Sequence, residues 1–263
     1  MNIEEHHART IAKVTDLFRD NPAFPALIVG GSIVKGLARP DSDVDLILVA
    51  TDEEYEKRRA AGQLQYFTRE LCDYEGGYVD GKVVNLQFLK DAAERGSEPA
   101  RSAFVDAYLG YSRIPGLKDL ITRIAVYQES ERRTKIESFL SQVMLLKWFV
   151  GEAEKRSQLY LMTQVVSNLV LFAGRIVLAH NRILFPAHKW FITLVEKAPE
   201  KPEGFVKMTE DVLRQPCQAT ADRLHDAVVN WQQWNWPFDR AVQRYMEDIE
   251  WTWRTGRPSL QEW

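Results

Sequence analysis

Residues 31–45 read Gly31-Ser-Ile-Val-Lys-Gly-Leu-Ala-Arg-Pro-Asp-Ser-Asp-Val-Asp45, and this stretch decides the fold of the first half of the chain. Just before it, Ala26-Leu27-Ile28-Val29 is short, apolar and partly β-branched, and it stops at Gly30-Gly31. That pattern predicts a buried strand ending at a tight turn. Ser32 is a good N-cap, which predicts a short helix over 33–38. Amides at a helix start are unpaired and partly positive, so they suit an anion. Glycine lets the backbone approach phosphate oxygens, and the Ser32 hydroxyl adds a donor. Lys35 and Arg39 bring positive charge nearby, and Pro40-Asp41-Ser42 turns the chain back.

Val44, Leu46, Ile47, Leu48 and Val49 then predict a mostly buried second strand. Side chains at i and i+2 share a strand face, so Asp43 and Asp45 project together from its start. Two adjacent carboxylates repel unless a cation or a proton intervenes. Magnesium prefers such hard oxygen ligands together with substrate phosphates. A pair of these ions can activate an attacking hydroxyl and stabilise departing pyrophosphate. A P-loop is excluded, because Gly31 to Gly36 is not followed by Lys-Ser or Lys-Thr.

The segment resembles the core signature of the polymerase-β-like nucleotidyltransferase superfamily over residues 26–89. Within it, the likeness runs to small bacterial kanamycin- and lincosamide-type enzymes and to minimal nucleotidyltransferases with helical partners. The resemblance implies that Gly31 and Ser32 bind a triphosphate, with Lys35 and Arg39 beside it. It also implies that Asp43 and Asp45 are catalytic and hold Mg²⁺, with ATP or another nucleoside triphosphate as co-substrate. The expected activity is transfer of a nucleoside monophosphate, AMP by analogy, to a hydroxyl of a small polar acceptor such as an antibiotic.

Composition sets the wider frame. The chain has 263 residues, 45% hydrophobic and 27% charged, which suits one large or two ordinary globular domains. A net charge of -3 argues against a non-specific nucleic-acid binder. Two cysteines, Cys72 and Cys217, make neither a disulfide framework nor a zinc site. The polar N-terminus is not a signal peptide, and no apolar run reads as long enough to cross a bilayer, so a cytoplasmic location is expected.

Along the chain, Ile3, Ile11, Val14, Leu17 and Phe18 predict an amphipathic first helix. A charged helix is expected over 52–60, Asp80-Gly81 reads as a hairpin turn, and a strand is expected over 83–89. Residues 100–113 read equally as helix or strand. Pro115-Gly116 is the expected boundary, giving a nucleotidyltransferase domain over 1–115 and a helical domain over 116–263 that completes the active-site cleft. Helical spacing runs from Leu117 to Lys197, with a further helix from Pro186. The fold class is therefore α/β (α+β), a mixed sheet flanked by helices followed by an all-helical half.

The family's third carboxylate is expected on the strand after Asp80-Gly81. There Asn85 and Gln87 stand where an acid belongs, and an amide cannot serve as a base. One reading takes the base from the helical half, with Glu152 as base and Lys155 as a phosphate contact, although a solvated charged turn explains both. The other is a degenerate or antitoxin-like module that binds nucleotide and acts through a protein partner. Lys189 is a further triphosphate contact in the first reading, or a snorkelling surface lysine.

Arg175 and His180 have the Arg-x4-His spacing of some helical ribonucleases. Five residues put them about 140° apart on a helix, which favours core packing instead. Trp231, Trp234, Trp236, Phe238, Trp251, Trp253 and Trp263 suit base stacking, but burial or a homodimer interface explains them better. His6-His7 has no partner at ligand spacing and reads as surface.

Overall fold

The computed structural model describes residues 3–254 and 256. The chain divides into two compact units, Met1–Val126 and Tyr127–Trp263.

The first unit runs α1 (Glu5–Arg19), β1 (Ala26–Val29), α2 (Gly31–Val34), β2 (Val44–Ala50), α3 (Asp52–Ala60), β3 (Gln65–Thr68), β4 (Val79–Asn85), α4 (Leu86–Arg95), α5 (Glu98–Ser102), β5 (Tyr108–Ser112) and α6 (Leu117–Ile124). The five strands form one mixed sheet in the order β3-β4-β2-β1-β5. β2 and β4 are parallel and the other neighbours antiparallel. All four residues of β1 are buried, as its unbroken apolar run requires of a strand covered on both faces.

Alternation along β2 splits the core. Val44, Leu46, Leu48 and Ala50 face a cluster with Ile11, Val14 and Phe18 of α1. Ile47 and Val49 face another with Leu89 of α4 and Ile121 and Ile124 of α6. Each fully buried aliphatic side chain of this kind contributes about 1.5–3 kcal/mol of transfer free energy. Asp45 lies on the second face, two residues before Ile47, where the apolar cover has not begun.

Several expectations are corrected. The short helix starts at Gly31 with Gly30 as N-cap, so Ser32 sits inside its first turn and is not the cap. Asp80-Gly81 is not a hairpin turn but lies within β4, which starts at Val79 and ends at Asn85. Gly81 is opposite Tyr66 of β3, where an added Cβ would come within 3.2 Å of the tyrosine Cβ. Close cross-strand packing, not a turn, is what calls for glycine here. The strand expected over 83–89 breaks at Leu86 because Asn85 caps α4, its Oδ1 accepting from the Phe88 amide at 2.9 Å. The ambiguous stretch resolves into both α5 and β5.

The first unit extends to Val126, past the Pro115-Gly116 boundary, because α6 supplies Leu117, Ile121 and Ile124 to the core under α4.

The second unit is helical: α7 (Glu129–Lys155), α8 (Leu159–His180), α9 (His188–Lys197), α10 (Phe205–Arg214), α11 (Gln218–Val229) and α12 (Phe238–Tyr245), then a π-helical turn over Met246–Glu250 and a 3₁₀ turn over Thr252–Arg254. Contrary to expectation, α8 is long and apolar enough to cross a membrane by length and composition, with a mean hydropathy of 1.6. Its apolarity is accounted for by its place in this unit's core, where Val165, Leu169, Ala173, Ile176 and Val177 pack against Leu140, Val143 and Leu146 of α7.

Candidate functional site

The Gly-Ser turn and the second acid meet directly. Gly31 has φ +76°, a conformation glycine adopts at little cost, and a Cβ built on it would lie 1.8 Å from Asp45 Oδ2. The Asp45 carboxylate thus occupies the space that any other residue at position 31 would fill. The Gly30 amide donates to the Asp45 carbonyl oxygen at 3.0 Å, which fixes the turn to the head of β2. Ser32, only 6% exposed, is the next residue into α2.

Lys35 closes one side. Its Nζ donates to the Ser102 carbonyl oxygen at 2.7 Å. Burial pushes its pKa below the ordinary lysine value, partly offset by the charges of Asp45 and Asp106. Arg39 is different: its guanidinium pairs with Asp41 at 3.1 Å on the exposed turn.

A third carboxylate stands beside the pair, and it is Asp80. In the parallel pairing of β2 with β4, Asp45 is the register partner of Asp80, so the two project from the same face on adjacent strands. The Gln65 amide donates to Asp80 Oδ1 at 2.9 Å. Tyr78 reports the combined field: the Asp43 carboxylate raises its pKa most, with burial, a hydrogen bond to Asp43, and Asp80 and Asp45 adding to it. Tyr74 is also raised, chiefly by burial, and its hydroxyl donates to the Ser42 carbonyl oxygen at 2.7 Å, just ahead of Asp43.

Sequence reasoning missed Asp80 because it treated Asp-Gly as a turn. A period-two reading from Val79 would have found it, with Val79, Gly81 and Val83 inward and Asp80 and Lys82 outward. Asn85, where the sequence reading expects an acid, has a local structural role. It caps α4, and its Nδ2 donates to Asp52 Oδ1 at 2.9 Å.

Residues 18–95 match the family model described as the nucleotidyltransferase domain. The stretch holds the turn, all three acids and the cap. Over these residues the chain is similar to a nucleotidyltransferase domain. A solved structure, that of a nucleotidyltransferase-like protein from Exiguobacterium sibiricum, aligns at 13% identity over 96% of this chain and 81% of that one, with a TM-score of 0.48. No curated protein matches the chain significantly.

Nucleotidyltransferase domains generally use divalent metal, and the donor set here fits one. Asp43, Asp45 and Asp80 offer hard carboxylate oxygens, concentrated enough to raise a neighbouring phenol. Asp43 and Asp45 would hold the ion, with Asp80 beside them.

The remaining expected residues lie in the helical unit. Glu152 is paired with Lys155 at 3.0 Å and Arg156 at 3.6 Å. The hydrogen bond from Lys155 is the largest of the effects holding its carboxyl below the usual carboxylate range. Lys155 also lines a cavity of about 410 Å³ with Lys147, Trp148, His225 and Phe238. Lys189 is exposed, with its ammonium 5.3 Å from the Trp190 ring centre.

Arg175 lies between the rings of Phe139 and Phe185, at 4.5 and 4.4 Å, and His180 meets Glu200 at 3.0 Å, so each has a packing role. Trp231, Trp234 and Trp236 pack against the helical core, while Phe238, Trp251 and Trp253 are exposed. Trp263 lies outside the described residues. The expectation for His6-His7 is corrected, since His7 is buried.

Proposed function

We propose that the chain is an enzyme transferring a nucleoside monophosphate, AMP in our reading, from a metal-bound nucleoside triphosphate to a hydroxyl of a small polar acceptor. One observation carries it: Asp45 touches the Gly31 backbone on one side and is in register with Asp80 on the other. The Gly-Ser turn and the three acids therefore sit together within the stretch matched by the nucleotidyltransferase domain, which supports the reading.

In this reading Gly31 and Ser32 receive the triphosphate, and Lys35 places its ammonium charge alongside. The acceptor oxygen bonds to the α-phosphorus as the bond from that phosphorus to the bridging oxygen of pyrophosphate breaks. Asp80, accepting from Gln65 with one oxygen, takes the hydroxyl proton with the other. A divalent ion such as Mg²⁺, when bound, neutralises charge on the phosphates. Asp80 takes the role assigned from sequence to Glu152. In this reading Asp80 serves as the third acid, which favours an enzyme over a degenerate, partner-binding module.

The acidic chain suits a cationic or neutral small acceptor better than a polyanion, and aminoglycosides are the first class to try. The test is acceptor-dependent pyrophosphate release from ATP and Mg²⁺ across a panel of hydroxylated compounds. Release is expected with at least one acceptor, with Asp80→Asn slower by roughly 10²–10⁴-fold. No release with any acceptor, or full activity in Asp80→Asn, would overturn the reading.

A further inference from the structure

The start of α1 carries a cluster that the nucleotide site does not use. One ligand atom from each of Glu4, His6 and His7 lies within 4.8 Å of the other two. His7 is 1% exposed, and its Nδ1 is buried without a hydrogen-bond partner among the described residues. A bare imidazole nitrogen in that position costs free energy unless something occupies its lone pair.

The other ring nitrogens explain the arrangement. His7 Nε2 lies 3.2 Å from the Ser42 carbonyl oxygen, and His6 Nε2 lies 3.0 Å from the Pro40 carbonyl oxygen. A carbonyl only accepts, so each Nε2 carries the proton and each Nδ1 keeps its lone pair. Metal-bound histidines characteristically show this pattern, one nitrogen on the ion and the other donating to a backbone carbonyl. Glu4 Oε2 stands 3.5 Å from His6 Nε2, the protonated nitrogen, so the Glu4 side chain, 48% exposed, has to swing toward the Nδ1 side to share an ion.

We propose that Glu4, His6 and His7 form a site for a transition-metal dication of the zinc type. Two imidazoles and one carboxylate select such an ion over the hard cation that suits the aspartates. Tetrahedral bonds of about 2.0–2.1 Å place ligands about 3.3 Å apart, so the set contracts on binding, chiefly through the exposed Glu4 side chain. The ion would also sharpen both N–H donors onto Pro40 and Ser42. It would thereby pin the turn that delivers Asp43, which gives the site a positioning role toward the acids without contact to substrate.

The test is titration of the full chain with Co²⁺, read by its visible absorption, then competition with Zn²⁺. It is run on the wild type and on the double variant Asp43→Ala/Asp45→Ala, which removes the hard-cation site. A Co²⁺ band displaced by Zn²⁺ is expected in the wild type and is retained, at one ion per chain, in the double variant. Glu4→Gln and His6→Gln, at solvent-accessible positions that a folded chain tolerates, should each weaken binding roughly tenfold or more. The absence of a Co²⁺ band, unchanged affinity in both single variants, or loss of the band in the double variant would overturn the proposal.

Discussion

At the scale of single residues, position 31 bears the most. Gly31→Ala forces a side chain into a left-handed conformation, at about 1–2 kcal/mol, and drives its Cβ into the Asp45 carboxylate. The variant should lose stability in denaturant titration and also lose metal-dependent triphosphate binding in calorimetry. Wild-type binding by a folded Gly31→Ala protein would separate the turn from the acids. The Gly-Ser pair and Asp43-x-Asp45 were readable in the sequence because local chemistry fixes them: a turn, then a strand whose alternation pairs the acids. Asp80 was hidden because its partner lies on another strand, 35 positions away, and strand register is not a local property. The burial of His7 was hidden for the same reason, since it depends on a turn at Pro40–Ser42 folding back over the start of α1.

Elements were legible where one period dominates. The apolar run of β1, the alternation into β2 and the charged helix α3 all follow from short patterns, and α3 carries a Thr51 cap at its start. β3 escaped notice because it has only four residues, half of them exposed. β4 was misplaced because Asp-Gly signals a turn more often than a strand interior. Asn85 gives this scale its test. Asn85→Ala removes the cap of α4 and should cost about 1 kcal/mol in the unfolding midpoint. The variant should leave pyrophosphate release intact, whereas Asp80→Asn should show the converse. A large activity loss in a stable Asn85→Ala protein would return the third-acid role to Asn85's position.

For the whole molecule, the sequence showed an α/β half and a helical half, since strand and helix periodicities separate cleanly near residue 116. The first compact unit runs past the expected boundary because α6 looks like any other helix until its leucine and isoleucines are seen in that unit's core. The helical unit carries its own pH response. Burial is the largest effect on His225 and pushes its pKa below the ordinary 6.5, with the neighbouring Asp226 opposing. The unfolded chain therefore binds more protons than the folded one just below pH 6.5, and stability falls as pH drops through that window. Denaturant midpoints should decline from about pH 6.5 downward, and His225→Gln should flatten that decline. An unchanged slope in the variant would assign it elsewhere.

One measurement bears most directly on the central claim: a crystal structure of the chain with Mn²⁺ and a non-hydrolysable ATP analogue, using anomalous scattering to locate the metal. We expect a manganese peak held by Asp43 and Asp45, with the phosphates against Gly31 and Ser32 and Asp80 facing the α-phosphorus. A peak bound away from these aspartates, or phosphates seated elsewhere on the chain, would contradict it.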